Sequence, residues 1–109
     1  MNTLMRLSYC VSLIAVSMVL LACDYQSHIG QQVFQERCSS CHNADNTDRK
    51  MGPALKGLFN HERLVSNGQK VTEANVRAKI DEGGKGMPAF QQTLSDEDIK
   101  HVVEYLKKL

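Results

Sequence analysis

Two cysteines and a histidine lie within five consecutive residues of this 109-residue chain, as Cys38, Cys41 and His42 in the segment CSSCH. On a helical turn, positions i, i+3 and i+4 lie on one face, so both sulfur atoms and the imidazole can address a single ligand. Cysteines at this spacing can bind a metal ion or form a redox-active disulfide. With a histidine directly after them, they form the C-x-x-C-H signature that attaches a c-type haem.

The surrounding sequence disfavours the other uses of the cysteine pair. A thioredoxin-type motif would lie near a βαβ pattern, and none is present. A zinc site would need further ligands, for which the chain offers only His28, His61 and His101, none paired with another cysteine. A structural disulfide would close too small a loop to stabilise the domain much. The motif therefore predicts one covalent haem c, bound through thioethers to both cysteines, with His42 as an axial iron ligand.

A second axial ligand is predicted in the segment KGMPAF at residues 85–90, where Met87 lies between Gly86 and Pro88. Glycine lets the backbone approach a flat cofactor closely, and proline stiffens the loop. A thioether opposite histidine raises the reduction potential and blocks the position at which oxygen or peroxide would react. A lone methionine can also be a core filler. Met51 is the alternative ligand, but it follows the histidine so closely that the chain would need a tight excursion around the haem.

The N-terminal segment has the composition of an export signal. Arg6 precedes the uncharged run 7–21, LSYCVSLIAVSMVLL, which is short for a membrane span of about 20 residues. The segment LLAC that ends at Cys23 resembles the lipobox of bacterial lipoproteins. This resemblance implies cleavage before Cys23 and a diacylglycerol on its thiol, with an uncleaved helical anchor as the alternative. Two or more acyl chains give stable attachment.

The predicted organisation is a cleaved lipoprotein signal peptide at residues 1–22, a lipidated cysteine with a short tether at 23–28, and one folded domain at 29–109. The five residues 24–28, if extended, reach at most about 18 Å from Cys23. The domain is therefore expected close to the membrane, on the extracytoplasmic face of a bacterial cell. The chain carries 13 Lys and Arg against 12 Asp and Glu. Nucleic acid is excluded as a partner because its binding depends on an excess of basic residues.

Helical patterns predict an all-α fold. A first helix is predicted from Ile29 to Ser39, and a second begins after Thr72 as its N-cap and ends at Gly83-Gly84. Ser95 is predicted to cap the last helix, whose apolar stripe faces the core and whose His101 falls on the polar face.

Two segments between the helices are predicted to be turns. Asn67-Gly68 is typical of a tight hairpin turn, with at most a trace of sheet around it. Gly52-Pro53 interrupts the chain after a polar loop.

Four segments resemble the class I cytochromes c of the small bacterial monohaem type, and specifically their membrane-anchored lipoprotein members. They are CSSCH at 38–42, MGPAL at 51–55, KGMPAF at 85–90 and the last helix after Ser95. The resemblance covers essentially the whole mature chain. It implies a single-domain cytochrome c fold with three to four helices packed around one covalent haem.

The same resemblance implies contacts for individual residues. The carbonyl of Pro53 would accept a hydrogen bond from Nδ1 of His42. Gly30 and Phe34 of the first helix would pack against Tyr105 of the last.

The predicted function is electron transfer and not catalysis. A membrane-tethered monohaem cytochrome, acting as a monomer, would pass single electrons between respiratory membrane complexes, from a quinol-oxidising donor to a terminal oxidase. Two alternatives remain open. One is a haem enzyme or a sensor of gases or peroxide, in which Met87 is a labile ligand. The other is a fixed subunit of a larger oxidoreductase.

Overall fold

The computed structural model describes residues 3–109; the side chains at positions 3–9, 12–13, 20–21 and 23 lie outside its description. In this range the chain forms α1, Thr3–Arg37, a 3₁₀ turn at Leu58–Asn60, α2, Glu73–Glu82, and α3, Asp96–Leu106. Residues 3–109 contain no β-strand and only two isolated β-bridges. The predicted all-α fold is confirmed.

Helix α1 begins far before the predicted start at Ile29 and ends at Arg37, slightly before the predicted end at Ser39. No glycine or proline interrupts the chain between the predicted export segment and Ile29, so nothing separates an apolar helix from the amphipathic one that follows. Residues 24–28, predicted to be a tether, are therefore helical. In the described part of the chain, no helix is both long enough and apolar enough to cross a membrane.

Both ends of α2 and the start of α3 are as predicted. The hydroxyl of Thr72 accepts a hydrogen bond from the backbone N–H of Asn75 at 3.1 Å. Ser95 and Asp98 form a reciprocal capping box, in which the serine hydroxyl accepts from the Asp98 N–H at 3.0 Å. Gly83 ends α2 with a φ of 65°, a conformation that costs glycine little.

The predicted turn at Asn67-Gly68 is also confirmed. Gly68 has a φ of 73°, and the backbone N–H of Leu64 donates to the carbonyl of Gln69 at 2.8 Å. One antiparallel bridge, between Arg63 and Lys70, is all the sheet that forms there.

Helices α1 and α3 cross at Gly30. A Cβ atom added to Gly30 would overlap the backbone carbonyl of His101 and would lie 2.9 Å from Cβ of Tyr105. One turn further along α1, the ring of Phe34 packs against that of Tyr105 with a centroid distance of 5.4 Å and an interplanar angle of 53°. The contacts of Gly30 and Phe34 with Tyr105 implied by the resemblance are confirmed. The crossing requires a residue without a side chain at position 30.

The core joins the crossing to α2 and to the loops. Each of its apolar residues exposes less than one tenth of its surface to solvent. They are Phe34, Ala44, Leu64, Val76, Ile80, Phe90, Ile99, Val102, Val103, Tyr105 and Leu106. Val76 and Ile80 come from α2, and Leu64 comes from the turn region. The single cluster identifies one folded domain.

The prediction that His101 lies on a polar face is wrong. Its side chain is only 17% exposed, and its Nδ1 is buried without a hydrogen-bond partner among the described residues. Tyr105 lies one turn after His101, so both residues are on the face that α1 covers at the crossing. The buried face of α3 is therefore wider than the apolar stripe alone indicates.

Gly30→Ala is expected to lower the free energy of unfolding by about 2 kcal/mol or more, because the added methyl forces α1 and α3 apart. Alanine normally stabilises a helix interior relative to glycine, by about 1 kcal/mol, so the sign of the effect identifies the crossing. Denaturant unfolding of the cofactor-loaded protein measures it. Gln31→Ala, at an exposed position of α1, is the matched control, expected within about 0.5 kcal/mol of the wild type. A Gly30→Ala protein as stable as this control would contradict the close crossing.

Candidate functional site

The CSSCH motif continues the helical path of α1 as two overlapping turns. The carbonyl of Phe34 accepts hydrogen bonds from the backbone N–H groups of Cys38 and Ser39, at 2.8 and 2.9 Å. The carbonyl of Cys38 in turn accepts from the N–H groups of Cys41 and His42, both at 3.0 Å. These bonds keep the backbone in helical turns, in which residues i, i+3 and i+4 lie on one face. The two sulfurs and the imidazole therefore remain available to one ligand.

Cys38 and Cys41 are free, half-buried thiols with no disulfide between them. Burial raises the pKa of the Cys38 thiol to about 11, and the neighbouring Cys41 raises it further. At neutral pH Cys38 is therefore uncharged. Thioredoxin-type cysteines instead have a lowered pKa and react as thiolates. This environment does not suit disulfide exchange.

The residues that the structure describes hold no group of three or more His, Cys, Asp or Glu side chains that could bind a metal ion. A tetrahedral zinc site needs four such ligands or three with a water. The zinc interpretation of the cysteine pair therefore finds no group of ligands among the side chains that the structure describes.

His42 is held by the segment that follows the polar loop. Its Nδ1–H donates to the carbonyl of Pro53 at 2.7 Å, the position that the resemblance implied for Pro53. The N–H of Gly52 donates to the carbonyl of Cys41 at 2.8 Å, which ties the same segment to the motif. With its proton on Nδ1, the ring presents the lone pair of Nε2 to a metal, and the carbonyl raises the basicity of that nitrogen.

Gly52 lies against the face of the imidazole. A Cβ atom at position 52 would come within 2.7 Å of Nδ1 and 3.0 Å of Nε2 of His42, closer than real Cβ contacts allow. The family resemblance predicts the contact of Pro53 with His42, but the sequence marks Gly52 only as part of an interruption of the chain. The role of Gly52 in seating the imidazole depends on a contact between distant residues, which local sequence does not reveal.

Met87 lies in a tight turn at the end of α2. Its carbonyl accepts from the N–H of Gly84 at 2.9 Å, and its N–H donates back to the Gly84 carbonyl at 3.2 Å. The two residues between them, Lys85 and Gly86, have φ angles of 49° and 92°, as in a type I′ turn. Met87 is half-buried and packs against the core, whereas the alternative ligand Met51 is 77% exposed. Of the two thioethers, Met87 has the environment of a buried ligand.

The donors and their surroundings fit a haem c. An imidazole, a thioether and two cysteine sulfurs are the groups that bind and attach haem iron and its porphyrin in c-type sites. Apolar side chains that pack against the core remain partly open and offer surface for a large apolar cofactor to cover. They are Val33, Leu55, Leu58, Phe59, Val71, Met87, Leu94 and Leu109.

Comparison with known proteins agrees with this chemistry. The family model described as "Cytochrome C oxidase, cbb3-type, subunit III" matches residues 26–106. Cytochrome c6 of Gracilaria tenuistipitata var. liui is 34% identical over 77 residues, which are 71% of this chain and 67% of the relative. Cytochrome c-550 of Bacillus subtilis is 32% identical over 59 residues, covering 54% of this chain and 41% of the relative.

A solved structure is similar to the same region. The cytochrome c6 structure from the diatom Phaeodactylum tricornutum superposes with a TM-score of 0.58 at 28% identity, covering 73% of this chain and 88% of that chain. The family match begins at residue 26 and includes CSSCH, Pro53 and Met87. It bears on the folded domain and does not include the predicted export segment.

Gly52→Ala is expected to destabilise the cofactor-loaded protein by about 1–3 kcal/mol, because the methyl overlaps the His42 ring and displaces it from Pro53. Denaturant unfolding measures the loss, and the His42 Nδ1–H proton resonance reports the broken hydrogen bond. Met51→Ala, at the exposed neighbouring position, is the control and is expected to match the wild type in both measurements. Equal stability of the two variants would show that the ring does not rest on Gly52.

Proposed function

We propose that this chain, which belongs to the class I cytochrome c family, carries electrons while tethered to a membrane. It is a small monohaem electron carrier similar to cytochrome c6. It carries one covalent haem c and is an electron-transfer protein rather than an enzyme. The haem, held by Cys38, Cys41, His42 and Met87, would supply the one-electron chemistry. The observation that most supports the assignment of a haem c is the 2.7 Å hydrogen bond from Nδ1 of His42 to the carbonyl of Pro53. It lies beside Cys38 and Cys41, which form no disulfide.

Each site residue has a proposed role. Cys38 and Cys41 hold the cofactor through two thioether bonds, which prevents its loss outside the cell. His42 would ligate the iron in the orientation that Pro53 imposes. Met87 would be the second ligand, which would raise the reduction potential and keep small molecules from the iron. The tight turn around Met87 supports this role because its two backbone hydrogen bonds limit movement of the ligand.

Cys23 is the proposed lipid anchor, on the extracytoplasmic face of a bacterial cell membrane. The lipobox-like sequence before it supports this proposal, and its side chain lies outside the described residues. Residues 24–28 are helical, so this segment spans about 7.5 Å instead of the 18 Å of an extended tether. Nζ of Lys108, just after α3, lies 3.0 Å from Oδ1 of Asp24 and joins the tether to the domain. The anchored end would therefore be short and attached to the fold.

The proposed partners are membrane-bound redox complexes, a quinol-oxidising donor and a terminal oxidase acceptor. Cys38 lies about 20 Å along α1 from Asp24, at a rise of 1.5 Å per residue. An anchor at Cys23 would thus leave the cofactor end of the domain at a distance from the lipid surface. That spacing suits exchange with complexes whose redox domains project from the membrane.

A fixed subunit of an oxidase is the second candidate. The matching family model carries the description of a subunit of a cbb3-type cytochrome c oxidase, and this description is the observation that supports the second candidate. Purification from detergent-solubilised membranes separates the two. A fixed subunit would co-purify with an oxidase in constant ratio, whereas a carrier would elute alone as a monomer.

Met87→Ala is expected to abolish the far-red charge-transfer band of ferric, methionine-ligated haem, to lower the reduction potential and to allow rapid CO binding to the reduced protein. Absorption spectroscopy and a redox titration measure all three. Met51→Ala is the matched control and should leave them unchanged. If Met51→Ala removed the band and Met87→Ala retained it, the axial assignment would be wrong.

Cys23→Ser is expected to move the protein from the membrane fraction to the soluble extracytoplasmic fraction or to leave its signal uncleaved, because no thiol remains to be lipidated. Cell fractionation followed by mass spectrometry of the intact protein measures the change. Cys10→Ser, a thiol within the predicted signal segment, is the control and should leave the mature protein unaltered. A Cys23→Ser protein that keeps the wild-type mass and location would exclude lipidation at this residue.

A further inference from the structure

Lys50 contacts the cofactor-attachment motif from the loop that follows it. Its Nζ donates a hydrogen bond to the backbone carbonyl of Ser39 at 2.7 Å. Ser39 lies between the two cysteines, so the ammonium group is bound directly to the CSSCH turn. Neither spacing nor composition identifies this lysine in advance.

The carbonyl of Ser39 needs a donor because α1 has ended. The last carbonyls of a helix have no intrahelical partner. Those of Phe34 and Cys38 are satisfied within the motif, each by two backbone N–H groups. In the described chain the donor to Ser39 is Lys50. A cation at this place also lies at the negative end of the α1 dipole, where it is favourable.

The loop around Lys50 is held in place by further contacts. The backbone N–H of Lys50 donates to the carbonyl of Gly52 at 3.1 Å. Earlier in the loop, the Asn43 side chain donates to the carbonyl of Asp48 at 2.6 Å. Lys50, Gly52 and Pro53 thus bind three different residues of the motif, and Lys50 contributes the one contact that carries a full charge.

We propose that Lys50 is a positioning residue for electron transfer, which supports the attachment turn and raises the reduction potential of the site. One-electron reduction lowers the positive charge of the site by one unit. A fixed cation nearby repels the oxidised form more than the reduced form and so favours reduction. The ammonium is exposed, so salt weakens this effect.

The test uses the cofactor-loaded protein and compares Lys50→Gln, Lys50→Arg and Lys100→Gln by redox titration at low and high ionic strength. Lys100 is exposed on α3, and its side chain makes no hydrogen bond or ion pair with any described residue, so its substitution removes the same charge elsewhere. At low salt, Lys50→Gln is expected to reduce the equilibrium constant for reduction roughly twofold to fivefold, the size expected for one partly screened charge. Lys50→Arg should restore it, and high salt should shrink the difference.

Three results would overturn the proposal. They are an unchanged potential in Lys50→Gln at low salt, an equal shift in Lys100→Gln, and a shift in Lys50→Gln that Lys50→Arg does not restore. If Lys50→Gln does not retain cofactor at all while Lys50→Arg does, the supporting role of the charge on the turn is upheld.

Discussion

The close approach of α1 to α3 at Gly30 is the constraint on which the site depends. Since the carbonyl of His101 occupies the space that a side chain at Gly30 would need, the two helices can meet only in this arrangement. It brings Phe34, which is 1% exposed, against Tyr105. The carbonyl of the same Phe34 accepts the hydrogen bonds that begin the CSSCH turn. One residue therefore joins the core of the domain to the attachment of its cofactor.

The second half of the site is a short segment that binds the motif from outside the helix. Gly52 leaves room for the imidazole of His42, and Pro53 fixes the ring through its carbonyl. A ligand that is held before the cofactor arrives needs little rearrangement when an electron enters or leaves, because its orientation is set by the backbone. The charge of Lys50 on the same turn gives the protein a further means to set the potential.

Features that depend on neighbouring residues could be predicted from the sequence. Thr72 and Ser95 cap their helices, and the CSSCH and KGMPAF segments carry their chemistry within a few residues. Contacts between distant segments could be predicted only where the family resemblance implied them, as for Gly30 and Phe34 with Tyr105. The burial of His101 follows from the crossing with α1, and the contact of Lys50 with Ser39 depends on the path of a polar loop. The predicted start of α1 at Ile29 is too late because no residue between the predicted export segment and Ile29 marks a boundary.

The central claim is that His42 and Met87 ligate one haem bound covalently at Cys38 and Cys41. Absorption spectra of the wild-type protein extracted from membranes, recorded oxidised and reduced, test it most directly. We expect the α-band of a reduced c-type haem and, in the oxidised protein, the far-red band of methionine ligation. A purified protein without a c-type spectrum would contradict the claim, and a c-type spectrum without the far-red band would contradict the assignment of Met87.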